Sequence, residues 1–157
     1  MTRRLASALL ALVLAGMSLT GCQSSVAYAN GDNRMTGAWR LASLEEPGAD
    51  GAVHPVDASG MFVASEDGHL AIQVMYANAE SPQNGPVQYA QGGYEASFGT
   101  YEFDDQAATF TYHVQGALVR TLIGQTQTRV VEFTDNAMTV RSPDPNEHWR
   151  VRWQRDQ

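Results

Sequence analysis

From residue 36 onward the chain alternates apolar and polar residues in short runs, and each run stops at a cluster of turn formers. Side chains that change face at every residue suit a β-strand, whose period is about two, and not a helix, whose period is about 3.6. The first strand is predicted over about 36 to 46, with Trp39 and Leu41 on one face and Arg40 on the other. Gly48, Asp50, Gly51 and Pro55 predict a loop. Met61 to Ser65 and Leu70 to Ala77 are predicted to pair around Glu66-Asp67-Gly68, a tight-turn signal. Two further hairpins are predicted: Ser97 to Phe103 with Ala108 to Leu118, and Thr128 to Thr134 with Ala137 to Ser142. Their turns fall at Asp104-Asp105 and Asp135-Asn136, and the last strand runs from His148 to Arg155.

Eight sequential antiparallel strands without a helical pattern leave a closed barrel or a sandwich. Hairpin-like connections favour an all-β, eight-stranded antiparallel up-and-down β-barrel, and closure removes sheet edges that would template aggregation. Alternation then points Trp39, Leu41, Leu70, Ile72, Val74, Tyr101, Phe103, Phe110, Tyr112 and Val114 inward. Val131, Phe133, Met138, Val140, Trp149, Val151 and Trp153 join them, while Arg40, Gln73, Glu102, His113, Glu132, Arg141, Arg150 and Arg152 face out. The stretch 78 to 96, rich in Gly and Pro and with Tyr76, Tyr89 and Tyr94 around its flexible glycines, is predicted as a long loop. It is either a cover over the barrel mouth or a plain surface loop.

Several motifs carry a resemblance. Gly37-Ala38-Trp39 at the start of the first strand resembles the Gly-x-Trp signature of lipocalins. Gly60 to Gly68, Gly99-Thr100-Tyr101-Glu102, Tyr112-His113-Val114, Gly124 with Arg129, and Trp153-Gln154-Arg155 resemble a lipocalin-like domain family of bacteria and fungi. The likeness covers about 36 to 155. It implies that Trp39 plugs one end of the barrel and that Arg155, from the last strand, stacks across it.

The N-terminal region is of another kind. Arg3 and Arg4 precede an apolar run from Leu9 to Leu14, and Leu19-Thr20-Gly21-Cys22 follows. This resembles a bacterial lipoprotein signal peptide with its lipobox. The resemblance implies cleavage after residue 21 and lipidation of Cys22 by acyl chains such as palmitate, the other reading being an ordinary secretory signal. Leu5 to Leu19 is shorter than the ~20 residues of a membrane span. Residues 22–35 are polar and turn-rich and are expected to act as a flexible tether, leaving 36–157 as the barrel domain. The expected location is the bacterial cell envelope, lipid-anchored to the outer membrane and facing the periplasm.

Charge narrows the partners. The chain carries a formal charge of −7, all its basic residues are arginine, and loss of Arg3 and Arg4 takes the mature part to −9. An acidic surface without basic clusters argues against nucleic acid and against electrostatic docking on anionic lipid, so membrane contact falls to the lipid anchor. Cys22 is the only cysteine. Its use as the anchor removes disulfides and thiol chemistry. A monomer is expected. No cofactor, metal site or catalytic residue is indicated, and no phosphate loop or nucleophile motif is present.

Inside the barrel the polar residues are the informative ones. Arg129 shares parity with Val131 and Phe133. A cation turned inward needs a carboxylate, a carbonyl or an anionic ligand. Tyr101 and Tyr112 offer phenols to the same space, and Val74 and Phe110 an apolar wall. These five are the candidate ligand-binding residues; ordinary core packing is the alternative for each. The leading expectation is an envelope lipoprotein binding a small hydrophobic or amphiphilic molecule, such as a fatty acid or lipid fragment. A ligandless barrel serving as an interaction module is the second, and a cyclase or isomerase using the cavity the third. A cavity of a few hundred Å³ would favour the first, and catalysis requires a strongly perturbed acid or base.

Overall fold

A computed structural model describes residues 34–78 and 89–155. The signal peptide (1–21), Cys22 and all of the tether but Arg34 and Met35 lie outside the described residues. Nine strands follow one another: β1 (Gly37–Pro47), β2 (Val53–Val56), β3 (Ala58–Ala64), β4 (His69–Tyr76), β5 (Tyr94–Asp104), β6 (Thr109–Ala117), β7 (Thr126–Thr134), β8 (Ala137–Arg141) and β9 (Arg150–Arg155). Every pairing is antiparallel. The order is β2-β1-β3-β4-β5-β6-β7-β8-β9, and β1 also pairs with β9. β2 and β3 lie in succession along the same edge of β1 and are separated only by Asp57. They act as one kinked strand, so the ring has eight members, an up-and-down barrel.

Two details correct the sequence reading. The expected loop through Pro55 is instead a tight turn followed by β2, with Pro55 opposite Glu45. β2 has a neighbour on one side only, where a missing N–H is tolerated. Strand β5 begins at Tyr94, three residues before the expected Ser97. Its inward face therefore includes Glu95.

A bulge changes the face of β1. Leu41 is opposite Trp153 and Ser43 opposite Arg152, which leaves Ala42 without a partner. One extra residue reverses the alternation beyond it. Trp39 is buried before the bulge, and Leu44 and Glu46 are buried after it.

One end of the ring carries the β3–β4, β5–β6 and β7–β8 hairpins together with the start of β1 and the end of β9, and it is sealed. The Arg155 guanidinium lies 4.1 Å from the Trp39 ring centroid, which is the expected plug. It also donates to Thr36 O at 2.7 Å and to Arg34 O at 2.8 Å. Trp39 Nε1 donates to Met35 O at 2.8 Å, so Arg34 and Met35 pack as part of the barrel end. Arg34 in turn sits 4.3 Å over Phe133, and Phe133 packs edge-on against Phe103. Gly37 has φ +131°, and a Cβ there would stand 2.7 Å from Arg155 Nη1. Gly-x-Trp is thus a steric requirement: the glycine clears the space in which the arginine covers the tryptophan.

Gly37→Ala is expected to destabilise the fold by about 1–3 kcal/mol through backbone strain and displacement of Arg155. Part of that loss should vanish in an Arg155→Ala background. Urea unfolding of the two single variants and the double variant measures the coupling, and strict additivity would show that Arg155 is not what Gly37 makes room for.

Candidate functional site

Toward the opposite end, the barrel interior holds a cavity of about 60 Å³. Its lower part is aromatic. Phe62 meets Phe110 edge-on at 6.1 Å and Trp153 at 5.7 Å between ring centroids. Ile72, Val74, Val140 and Val151 form the apolar wall, and Tyr89 and Trp149 come from the segments around the mouth. Four polar side chains line the same space: Glu95 on β5, Tyr112 on β6, and Gln127 and Arg129 on β7. A wider groove of about 410 Å³ lies along the Ser142–Arg150 connection. It is open to solvent and touches the barrel interior only through Trp149, so it lacks the enclosure that makes polar groups selective.

Arg129 is half-buried, with its guanidinium 5.2 Å from the ring centroids of both Tyr89 and Trp149. It donates to Thr128 O at 3.0 Å and to Gln127 Oε1 at 3.2 Å. A carbonyl and an amide thus meet the need for partners foreseen for an inward arginine. Among the described residues it forms no ion pair with a carboxylate. Five N–H donors belong to a guanidinium, so these two bonds leave others to a guest.

Tyr112 is buried, and its hydroxyl has no hydrogen-bond partner among the described residues. Burial pushes the phenol up to about 12; nearby Ser97 pulls it down and Glu95 raises it. Ser97 influences the titration from nearby without forming a hydrogen bond to the phenol. A hydroxyl left unpaired in an apolar wall costs about 1–3 kcal/mol, which a bound acceptor would recover.

Glu95 is the group that sequence reading missed. It is cross-strand from Val74. The residue is half-buried, and its side chain lines the cavity. Barrel atoms crowded around it displace water that would stabilise the charge. Burial raises it to about 7, against the pull of Arg129 and with a further push from Glu46. Glu46 reaches the interior through the β1 bulge and accepts a 2.7 Å hydrogen bond from the Tyr76 hydroxyl. Burial also raises Glu46, and that hydrogen bond opposes the rise.

Of the five candidates from sequence, Arg129, Tyr112, Val74 and Phe110 meet at this cavity. Tyr101 does not line it: its hydroxyl donates to Ser65 O at 3.2 Å near the sealed end. Tyr76 lies on the expected strand, whereas Tyr94 is a strand residue rather than part of the loop, with its hydroxyl 3.4 Å from Gln73 Oε1. His113 faces outward onto Thr126 Oγ1 at 3.0 Å. The missed residues left traces. Glu95 shares parity with Tyr101, and the apolar Leu44 out of phase with Leu41 marks the bulge that turns Glu46 inward.

Glu95 favours the neutral form in the folded state, so its contribution to stability is full below its unfolded value near 4.5 and is lost as pH rises through about 7. Glu95→Gln should therefore lose less stability than the native chain between pH 5 and pH 8, by about 1–3 kcal/mol. Parallel pH dependence in chemical denaturation of the two would show that Glu95 ionises as a solvated carboxyl.

The profile of the lipocalin-like domain family matches residues 36–155. The chain matches no curated protein.

Proposed function

As the chain belongs to the lipocalin-like domain family over residues 36–155, we propose that it is a monomeric, lipid-anchored envelope lipoprotein whose barrel holds one small hydrophobic or amphiphilic molecule. The observation that carries this reading is an apolar cavity in which, among the described residues, the Tyr112 hydroxyl has no partner and Arg129 no carboxylate mate. Groups that a folded core would otherwise satisfy internally are left for a guest. The volume of about 60 Å³ falls short of the few hundred Å³ expected for a carrier and of the ~300–1,000 Å³ of pockets that enclose drug-sized ligands. The guest is accordingly small.

Native mass spectrometry of protein released gently from the envelope should show a co-purified small molecule. Val74→Trp, which fills the cavity wall, should abolish that mass, whereas a bare native mass would sink the carrier reading. The anchor rests on Cys22 and its lipobox. Radioactive palmitate should label the native chain and not Cys22→Ser, and label that persists in the variant would overturn the anchor.

One observation favours a second reading, proton-transfer catalysis in the cavity. Glu95 is a cavity-lining carboxyl raised to about 7, and a base poised near the working pH is what such chemistry needs. α-Deuterium exchange of cyclohexanone in D2O that is fast with the native chain and slow with Glu95→Gln would support it.

A further inference from the structure

We propose that the polar end of the cavity is a receptor for a small monocarboxylate, taken up together with a proton carried by Glu95. This inference rests on the binding reading above and specifies its head group. Among the described residues, the cavity brings one cation, Arg129, into the same small space as one carboxyl, Glu95, and one partnerless hydroxyl, Tyr112. All three present donors to a guest when Glu95 is protonated. Arg129 keeps N–H groups beyond those used on Thr128 and Gln127, and Tyr112 and Glu95 each offer one O–H. A carboxylate has about four lone-pair sites and no donor, so it accepts from all three. An ammonium head would meet the Arg129 charge and find no use for the arginine donors. A dianion would exceed the single positive charge of the wall. A monoanion is neutralised by Arg129, provided that Glu95 carries no charge of its own.

Proton uptake follows from that proviso. The charged and titratable groups that face Glu95 are Glu46 from β1, Tyr76 from β4, Tyr112 from β6, Arg129 from β7 and Tyr89 from the mouth; β8 and β9 contribute only apolar side chains to the cavity. Arg129 is the only cation of the set among the described residues. A carboxylate beside Arg129 adds a second negative charge next to Glu95 and holds the Glu95 proton more tightly. In the unliganded barrel this proton leaves at about pH 7. Binding therefore takes up a proton around and above neutrality, and affinity falls as pH rises.

Hexanoate and its neutral isostere hexanamide test this in the native chain. By titration calorimetry, hexanoate affinity should fall roughly tenfold between pH 6 and pH 8 while hexanamide stays constant. At pH 7 the hexanoate heats in phosphate and in Tris should differ by the buffers' ionisation heats for about half a proton. Glu95→Gln should bind hexanoate equally at pH 6 and pH 8, and Arg129→Gln should bring hexanoate and hexanamide to similar affinities. Hexanoate binding by the native chain without proton uptake, or pH dependence that persists in Glu95→Gln, overturns the inference and leaves the carrier reading standing. If hexanamide binds and hexanoate does not, the head-group assignment alone fails. If neither binds at any pH, the carrier reading and this inference fall together. The buffer comparison needs no variant, so it decides the matter even if Glu95→Gln fails to fold.

Discussion

Strand β1 is hydrogen-bonded to β9 along one edge and to β2 and β3 along the other, so the sheet closes and its inner face opens only at the two ends. Every alternate residue of eight strands then shares one narrow interior. Aromatic side chains occupy most of it: Trp39, Phe62, Tyr101, Phe110 and Trp153 are each at most 3% exposed. The sealed end depends on the same closure. Arg155 reaches Trp39, Thr36 and Arg34 only because β9 lies beside β1 with Arg155 opposite Trp39.

The two ends of the barrel treat polar groups differently. At the sealed end, Arg155 directs two donors to backbone carbonyls and its face to an indole, and it does not line the cavity that would hold a guest. At the other end, Arg129 lies between two aromatic rings with donors to spare, Tyr112 has no partner among the described residues, and Glu95 sits in an apolar wall that disfavours its charge. Such a cluster lowers the stability of the unliganded barrel, because each polar group has given up water without a full set of new hydrogen bonds. Dense packing elsewhere in the interior offsets that local loss.

The bulges show how small irregularities place this chemistry. Without the extra residue at Ala42, Glu46 would face solvent and Glu45 the interior. A second bulge at Gln115 lets β6 continue beside β5, where Gly99 is opposite Val114 and Phe98 opposite Gly116. Gly99 has no alternative there, since a Cβ would fall 1.9 Å from His113 O. Phe98, turned outward and 59% exposed, lies across Gly116. It joins Val63 and Ala71 in an apolar row on the outer face, with Val63 paired to Ala71 and Ala71 to Phe98.

Alternation of apolar and polar residues, a local property, sufficed to mark out most strands and their inward faces, while the Trp39–Arg155 plug came from the resemblance of Gly37-Ala38-Trp39 to lipocalins. The alternation also turned Arg129, Tyr112, Val74 and Phe110 toward one interior, because parity is conserved along an unbroken strand. Parity carries no information about a bulge or about where a strand begins, so Glu46 and Glu95 were not legible as interior groups. Nor does it record depth along the barrel axis, which is why parity makes Tyr101 equivalent to Tyr112 although the two lie at different levels. Hydrogen-bond register and ring closure set those levels. The tertiary structure alone decided that Glu95 shares a small apolar space with Arg129, because desolvation and charge coupling arise between strands far apart in the chain.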